Sequence, residues 1–170
     1  LVAPGLVNGH LHSWDAYQKG CLENVPLEMA MAYLRPRRPV VLTERQVYLR
    51  TMSVALEALR SGTTTVVDDM SLGHGMTRGQ IEAALQAWED AGLRALVGFS
   101  MIDKPIVDSY PFVDECFEPG LLAALRALPR PDGHALLELV RELARARHPA
   151  TRRVGVLVAP SAPHRCTDDY

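Results

Sequence analysis

The sequence lacks the features that mark several protein classes. Its 170 residues hold three cysteines, without a CxxC pair, which argues against a disulfide framework and favours a reducing, cytoplasmic compartment. No apolar run approaches the roughly 18 residues of a membrane span, and no signal peptide is recognisable. A net charge of −2 offers no basic surface for nucleic acid or an anionic membrane. We therefore expect a globular protein with neither of these partners.

Strand-then-helix units follow one another along the chain. Strands are predicted near residues 1–7, 63–68, 93–102 and 154–159. Helices are predicted after the N-cap residues Thr43, Thr77 and Asp132. Two long loops are predicted, one after the first strand and one at residues 103–131, the second with a short helix at 121–128. Buried strands alternating with helices predict a parallel α/β sheet, in either a doubly wound or a barrel arrangement.

Two histidines follow the first predicted strand. Side chains at i and i+2 of a strand point to the same face, so His10 and His12 share one face. Their backbones are about 6–7 Å apart, which lets both imidazoles reach one ion through Zn–N bonds of about 2.0–2.1 Å. A His-x-His pair is also common as two polar loop residues, so the neighbouring sequence has to decide between the two interpretations.

The neighbouring sequence resembles the first-strand signature of the amidohydrolase superfamily. That signature is the stretch Pro-Gly-Leu-Val-Asn-Gly-His-Leu-His at residues 4–12, and residues 61–68 and 159–167 are similar to the second and fourth strand motifs. The branch indicated holds cytosine deaminase, guanine deaminase and the triazine hydrolases. The fourth motif is most similar to the 8-oxoguanine deaminase and hydroxyatrazine ethylaminohydrolase-like members.

The resemblance implies a TIM-type (β/α)8 barrel. A closed barrel of this kind needs about 250 residues, so residues 1–170 are expected to supply about half of one, truncated at both ends. The implied activity is that of a metal-dependent aminohydrolase, which hydrolyses an exocyclic C–N or similar bond on a small nitrogen heterocycle. One divalent ion, zinc or iron, would bind His10 and His12 and lower the pKa of its water to about 7, giving hydroxide. The other ligands and the general base would lie beyond Tyr170, so no catalytic residue is assigned and the chain alone is expected to be inactive.

Other polar residues are candidates for the same site. Trp14 and Gln18, on the loop after the histidines, are candidate substrate contacts, although Trp14 would equally pack beneath that loop. Ser161 and Arg165 are further candidates, with an Arg165–Asp168 ion pair as the alternative.

Two aspartates and the remaining histidines complete the candidates. Asp68 and Asp69 are expected either behind the metal ligands or as a simple strand end and loop cap. The other histidines are expected at the surface, with the last of them at the rim of the barrel; they are His74, His134, His148 and His164. Cys166 is expected as a small buried residue.

Two departures from the superfamily narrow the expected reaction. Binuclear cyclic amidases place a lysine at the end of the fourth strand, whereas residues 154–160 contain none, which favours a mononuclear, deaminase-like site. At the end of the fourth strand, the sequence of deaminases of adenosine-like thioethers resembles Pro-His-Ala-Pro, whereas this chain has Pro-Ser-Ala-Pro at residues 160–163. The missing histidine favours a base-sized heterocycle over a nucleoside. The alternatives are a cyclic amidase and a catalytically inactive half-barrel that self-associates through its open strand edges. A homo-oligomer is expected.

Overall fold

The structure, a computed structural model, describes residues 1–34, 41–71, 77–128 and 132–168 as alternating strands and helices. The strands are β1 (Leu6–Leu11), β2 (Thr63–Ser71), β3 (Arg94–Met101) and β4 (Val154–Pro160). The α-helices are α1 (Leu27–Leu34), α2 (Glu44–Arg60), α3 (Arg78–Asp90), α4 (Val113–Cys116), α5 (Pro119–Arg126) and α6 (Gly133–Ala146). Short 3-10 helices cover Ser13–Gln18, Ile106–Ser109 and Pro163–Arg165.

The four strands form one parallel sheet in the order β1-β2-β3-β4. In the pairing of β1 with β2, Leu6 lies opposite Thr63 and Leu11 opposite Asp68, with irregular register between these positions. The sequential order, with helices between the strands, confirms the predicted parallel α/β architecture.

The first strand begins later than predicted. β1 runs from Leu6 instead of residue 1, so His10 lies within the strand and not after it. Pro4 cannot donate to a strand ladder. Gly5 lies against Thr64 so closely that an added Cβ would come within 2.3 Å of the threonine side chain. Gly5 therefore lies against β2 outside the paired residues, while Leu1 and Val2 are exposed.

The second strand and both predicted loops also differ from expectation. β2 continues to Ser71, so Asp68 and Asp69 lie inside the strand and not at its end. The segment after β1 holds the 3-10 helix Ser13–Gln18 and α1. The segment at 103–131 holds α4 and a 3-10 helix in addition to the short helix that was predicted, here α5. The described parts of both segments therefore contain short helices.

The first compact unit comprises residues 1–68 and 77–95. Its two long helices begin at capping boxes, in which Thr43 pairs with Gln46 and Thr77 with Gln80 as the threonines predict. α2 packs against α3 and against the 3-10 helix Ser13–Gln18. Fully buried side chains form the centre of this unit, including Val47, Val66, Ile81, Leu85 and Trp88.

The second unit comprises residues 69–76 and 96–170, where these are described. α6 packs against β4 and buries Leu136, Val140 and Leu143, while Leu137 is half-buried. A small separate cluster gathers Val107, Val113 and Leu122 around the segment that follows β3.

The described helices and the cysteines agree with the composition. None of the helices in the described ranges is long and apolar enough to cross a membrane. Cys21, Cys116 and Cys166 carry free thiols, and the last is buried as expected.

Candidate metal centre

The imidazoles of His10 and His12 converge at the end of β1. Their Nε2 atoms are 3.3 Å apart, and the ring centroids are 4.7 Å apart with the planes at 83°. Two Zn–N bonds of about 2.0–2.1 Å at a tetrahedral angle separate their nitrogens by about 3.3–3.4 Å. The same separation also suits an N–H···N hydrogen bond between two neutral rings. The geometry of the pair therefore fits two ligands of one ion and equally fits a hydrogen bond between the two rings.

The backbone on either side of the pair is fixed differently at each histidine. His10 lies in β1, and its N–H donates to Oδ1 of Asn8 at 3.1 Å. His12 lies one residue beyond β1, with extended φ and ψ angles of −123° and 99°, and it precedes the first residue of the 3-10 helix. His10 is exposed and His12 is half-buried. The pair therefore lies at the surface of the first unit, at the end of the strand.

A fully buried carboxylate, that of Asp68, lies behind the chain that leaves His12. Its Oδ1 accepts the N–H of Ser13 at 2.9 Å, and its Oδ2 accepts the Ser13 hydroxyl at 2.6 Å. The indole N–H of Trp88 donates to the same Oδ2 at 3.2 Å. Three donors from α3 and from the start of the 3-10 helix thus meet one carboxylate of β2.

Burial governs the electrostatics of this unit. Desolvation raises the pKa of Asp68, while the hydrogen bonds from Ser13 and Trp88 and the charge of a protonated His12 act in the opposite direction. Arg50 of α2 is 9% exposed, and desolvation lowers its pKa against the attraction of Asp68. Within the described residues, Nε of Arg50 has no hydrogen-bond partner. An arginine and an aspartate are therefore both held in the interior of the first unit.

The predicted substrate contacts of the first unit lie along the 3-10 helix. The ring of Trp14 is 6.0 Å from that of His12 and is half-buried, and Gln18 is half-buried at the other end of the helix. A cleft of about 230 Å³ opens beside His12, and its polar lining includes Asp15 and the ion-paired Lys19 and Glu57. The cleft is lined neither by Trp14 nor by Gln18. Their role in substrate binding stays a prediction.

The second unit places Ser161 and Arg165 together. The guanidinium of Arg165 donates to the Ser161 hydroxyl at 3.4 Å, and Ser161 is tied through its N–H to the carbonyl of Met101. The alternative ion pair of Arg165 with Asp168 was wrong, since no such contact occurs among the described residues. Within the described range, the N–H of Thr167 donates to Oδ1 of Asp103 at 2.8 Å. Asp169 lies outside that range.

The remaining candidates are distributed over the surface. His134, His148 and His164 are exposed as expected, and Asp69 is half-buried on β2. His74 lies outside the described residues. Of these groups, Asp69 alone was expected near the metal, and that assignment stays a prediction.

Ser13 and Trp88 are the residues of this site that the sequence does not reveal. Ser13 looks like an ordinary residue after a histidine, and Trp88 like an apolar position of α3. Their contacts to Asp68 span 55 and 20 positions of sequence, so no local spacing indicates them. The one usable signal was an aspartate in a buried, β-branched strand, because an isolated buried carboxylate needs donors.

Comparison with known proteins places the whole chain in one group. The sequence profile of the Amidohydrolase family matches residues 1–170. A 5-methylthioadenosine/S-adenosylhomocysteine deaminase of Pyrococcus abyssi is 27% identical over 170 residues, covering 99% of this chain and 33% of the relative. The chain therefore spans about a third of the length of this relative.

Two solved structures resemble the fold. A triazine hydrolase from Arthobacter aurescens superposes with a TM-score of 0.75 at 20% identity, covering 98% of this chain and 36% of that protein. An adenosine deaminase from Xanthomonas campestris with bound zinc superposes with a TM-score of 0.67 at 23% identity, covering 98% and 31%. The four-stranded parallel sheet thus matches part of amidohydrolase barrels.

Proposed function

The chain belongs to the Amidohydrolase family, and on that premise we propose that it forms part of a metal-dependent aminohydrolase. The reaction proposed is hydrolysis of an exocyclic C–N bond, or a similar bond, on a nitrogen heterocycle. The observation that carries the proposal is the 3.3 Å separation of Nε2 in His10 and His12, which suits two ligands of one ion. A relative named as a deaminase and a related fold with bound zinc support the same class.

The residues of this chain hold the ion and fix its position. His10 and His12 bind it through Nε2. When bound, zinc or iron(II) with an open position supplies hydroxide at neutral pH, because it lowers the pKa of its water to about 7. The remaining ligands and the general base are proposed to belong to a longer polypeptide, and the 170-residue chain is expected to be inactive by itself.

The proposed substrate is a base-sized heterocycle. Ser161 stands where the deaminases of adenosine-like thioethers are expected to have histidine, and its hydroxyl is engaged by Arg165. The similar proteins carry names of both kinds, a nucleoside-type deaminase and a triazine hydrolase. The missing histidine supports a preference for a base-sized heterocycle over a nucleoside. We also propose a cytoplasmic site of action, which the three free thiols support.

Self-association is proposed as a second property of the chain. α2 buries one stripe, which includes Val47, Val54 and Ala55, but it carries a second apolar stripe that faces outward. The members of this outer stripe are Leu49, Met52, Leu56 and Leu59, of which the three leucines are exposed. Their spacing of three and four residues is that of helices that pack against another helix. A second copy of the chain is the proposed occupant.

The metal proposal is tested on the chain itself. Zinc is titrated calorimetrically into metal-free protein, and bound zinc and iron are counted by elemental analysis. We expect one ion per chain, and no detectable binding in His10→Ala or His12→Ala at concentrations that saturate the unmodified protein. His164→Ala is the matched control, since this exposed histidine lies in the other unit. Equal zinc binding in all four proteins would mean that the pair is not the site.

The reaction is tested on a longer polypeptide that contains this chain. Ammonia release is measured with the metal-loaded protein on a panel of free bases, aminotriazines and 5′-substituted adenosines. We expect the free bases or triazines to be turned over with the higher kcat/KM, and His12→Ala to abolish release. Preference for the nucleosides would overturn the substrate assignment alone, whereas no release from any heterocycle would overturn the aminohydrolase.

A further inference from the structure

The buried carboxylate of Asp68 accepts hydrogen bonds that the proposed metal chemistry does not explain. Burying a carboxylate costs free energy unless donors compensate it. Two of its three donors come from one residue, the N–H and the hydroxyl of Ser13, at 2.9 and 2.6 Å. These contacts join β2 to a residue 55 positions earlier, immediately after a proposed metal ligand.

The N–H of Ser13 belongs to the peptide unit that begins at the carbonyl carbon of His12. Because that unit is planar, a bond to its N–H also fixes the orientation of the His12 carbonyl and the ψ angle of His12. The second bond, from the Ser13 hydroxyl, holds the Ser13 side chain against the same carboxylate. The direction in which the His12 side chain leaves the backbone is thereby set from β2.

We infer that Asp68 is a positioning residue for the pair of imidazoles. It holds the His12–Ser13 peptide unit so that Nε2 of His12 stays at ligand distance from Nε2 of His10. The inference rests on the proposed metal function, and it assigns to Asp68 an effect that passes through the backbone. Outer-shell groups more often act through the second ring nitrogen of a ligand histidine.

The chain offers a matched set of variants. Asp68→Asn keeps the shape but turns one acceptor oxygen into a donor that faces other donors. Ser13→Ala removes the hydroxyl bond and keeps the N–H, and Ser13→Thr restores a hydroxyl. Trp88→Phe removes the third donor to the same carboxylate without touching Ser13. If the Asp68 carboxylate only stabilises the fold, every variant that lowers the stability should also weaken metal binding, Trp88→Phe included.

The first measurement is zinc affinity by calorimetry, together with the visible absorption spectrum of the Co²⁺ complex. We expect Asp68→Asn to weaken zinc binding by about 10–100-fold and to change the Co²⁺ spectrum. Ser13→Ala is expected to weaken binding less, and Ser13→Thr to restore it. Trp88→Phe is expected to lower the melting temperature while zinc affinity and the spectrum stay unchanged. Affinities that follow melting temperature across the whole set would overturn the inference.

The second measurement needs no metal. Ring protons of His10 and His12 should give a nuclear Overhauser effect in the metal-free chain, since the centroids are 4.7 Å apart. We expect the effect to be lost in Asp68→Asn and kept in Trp88→Phe. If Asp68→Asn keeps it, the inference is wrong even when zinc binds. If no variant or parent binds zinc but the effect responds as described, the metal proposal fails and the positioning role stands.

Discussion

The absence of a side chain at Gly98 determines how closely two strands of this sheet can approach each other. It is buried in β3, and an added Cβ would lie 2.7 Å from Cβ of Ala159 and from Cδ1 of Leu157. Real Cβ atoms do not approach so closely, so Leu157 would have to leave its rotamer and β3 and β4 would have to separate to relieve the contact with Ala159. The close approach of these strands therefore depends on a residue without a side chain.

Gly98→Ala is accordingly expected to destabilise the chain. Overpacking of this kind costs about 1–3 kcal/mol of the free energy of unfolding. Gly9→Ala is the control, because a Cβ at Gly9 of β1 meets nothing within 4 Å, and such open sites change stability by about 0.5 kcal/mol or less. Urea unfolding curves of the two variants and the parent provide the comparison. Equal midpoints for both variants would contradict the packing argument.

At the scale of single residues, the sequence predicts the positions and contacts of side chains whose partners are close in the chain. The alternation of side chains along a strand is enough to put His10 and His12 on one face. Arg165 shows the limit, because the alternative pairing placed Asp168 on a helix that would follow Arg165. The 3-10 helix ends at Arg165, and Cys166 is extended with φ and ψ of −115° and 150°. Arg165 therefore reaches back to Ser161.

The start of a helix in this chain is determined by contacts between residues that are close in the sequence. The Thr43 hydroxyl accepts the N–H of Gln46 at 3.2 Å, and the Gln46 side chain accepts the N–H of Thr43 at 2.8 Å. Each N-terminal N–H satisfied in this way has no partner within the helix. Thr43 is thus expected to fix where α2 begins.

Thr43→Ala removes one half of this reciprocal arrangement. The expected loss is about 1 kcal/mol in the free energy of unfolding, because the N–H of Gln46 loses its acceptor. Thr43→Ser keeps the hydroxyl and should retain most of the stability. Both are compared with the parent by chemical denaturation with circular dichroism at 222 nm. A Thr43→Ser variant as unstable as Thr43→Ala would show that the methyl group, and not the cap, stabilises α2.

Strand ends were harder to predict than helix starts. Thr43, Thr77 and Asp132 each cap a helix by contacts within three residues, so the signal is local. The extent of β1 depends on pairing with β2, which lies more than 50 positions away in the chain. The apolar run before Leu6 has the composition of a strand but contains Pro4, which interrupts the ladder. Composition alone therefore placed β1 too early.

The open boundaries of the sheet matter for the molecule as a whole. β1 and β4 end the strand order, and the exposed side chains of β1 include Leu6 and Val7 at 61% and 69%. Within the described residues no strand pairs with the outer side of β1 or of β4, and unpaired edges of this kind favour association with another chain. Neither edge follows from a local sequence pattern, since only the strand order identifies β1 and β4 as outermost.

Association is expected to involve the outer stripe of α2 as well as these edges. Leu56, at the centre of that stripe, is 51% exposed, and a contiguous apolar patch of this kind is typical of an interface. Light scattering coupled to size exclusion should give a mass above that of the monomer, which falls as the protein is diluted. Leu56→Lys places a charge in the patch and should shift the chain to the monomer mass.

Val41→Lys is the control for added charge, because Val41 is 82% exposed and precedes α2 outside the stripe. This variant should keep the parent's mass. A parent that is monomeric at every concentration would refute self-association, and equal masses for the two variants would remove α2 from the interface. If Leu56→Lys dissociates the chain and Val41→Lys does not, the edges of β1 and β4 are secondary contacts. The added charge on α2 leaves the backbone groups of both edges unchanged, so these edges alone would not hold the two copies together.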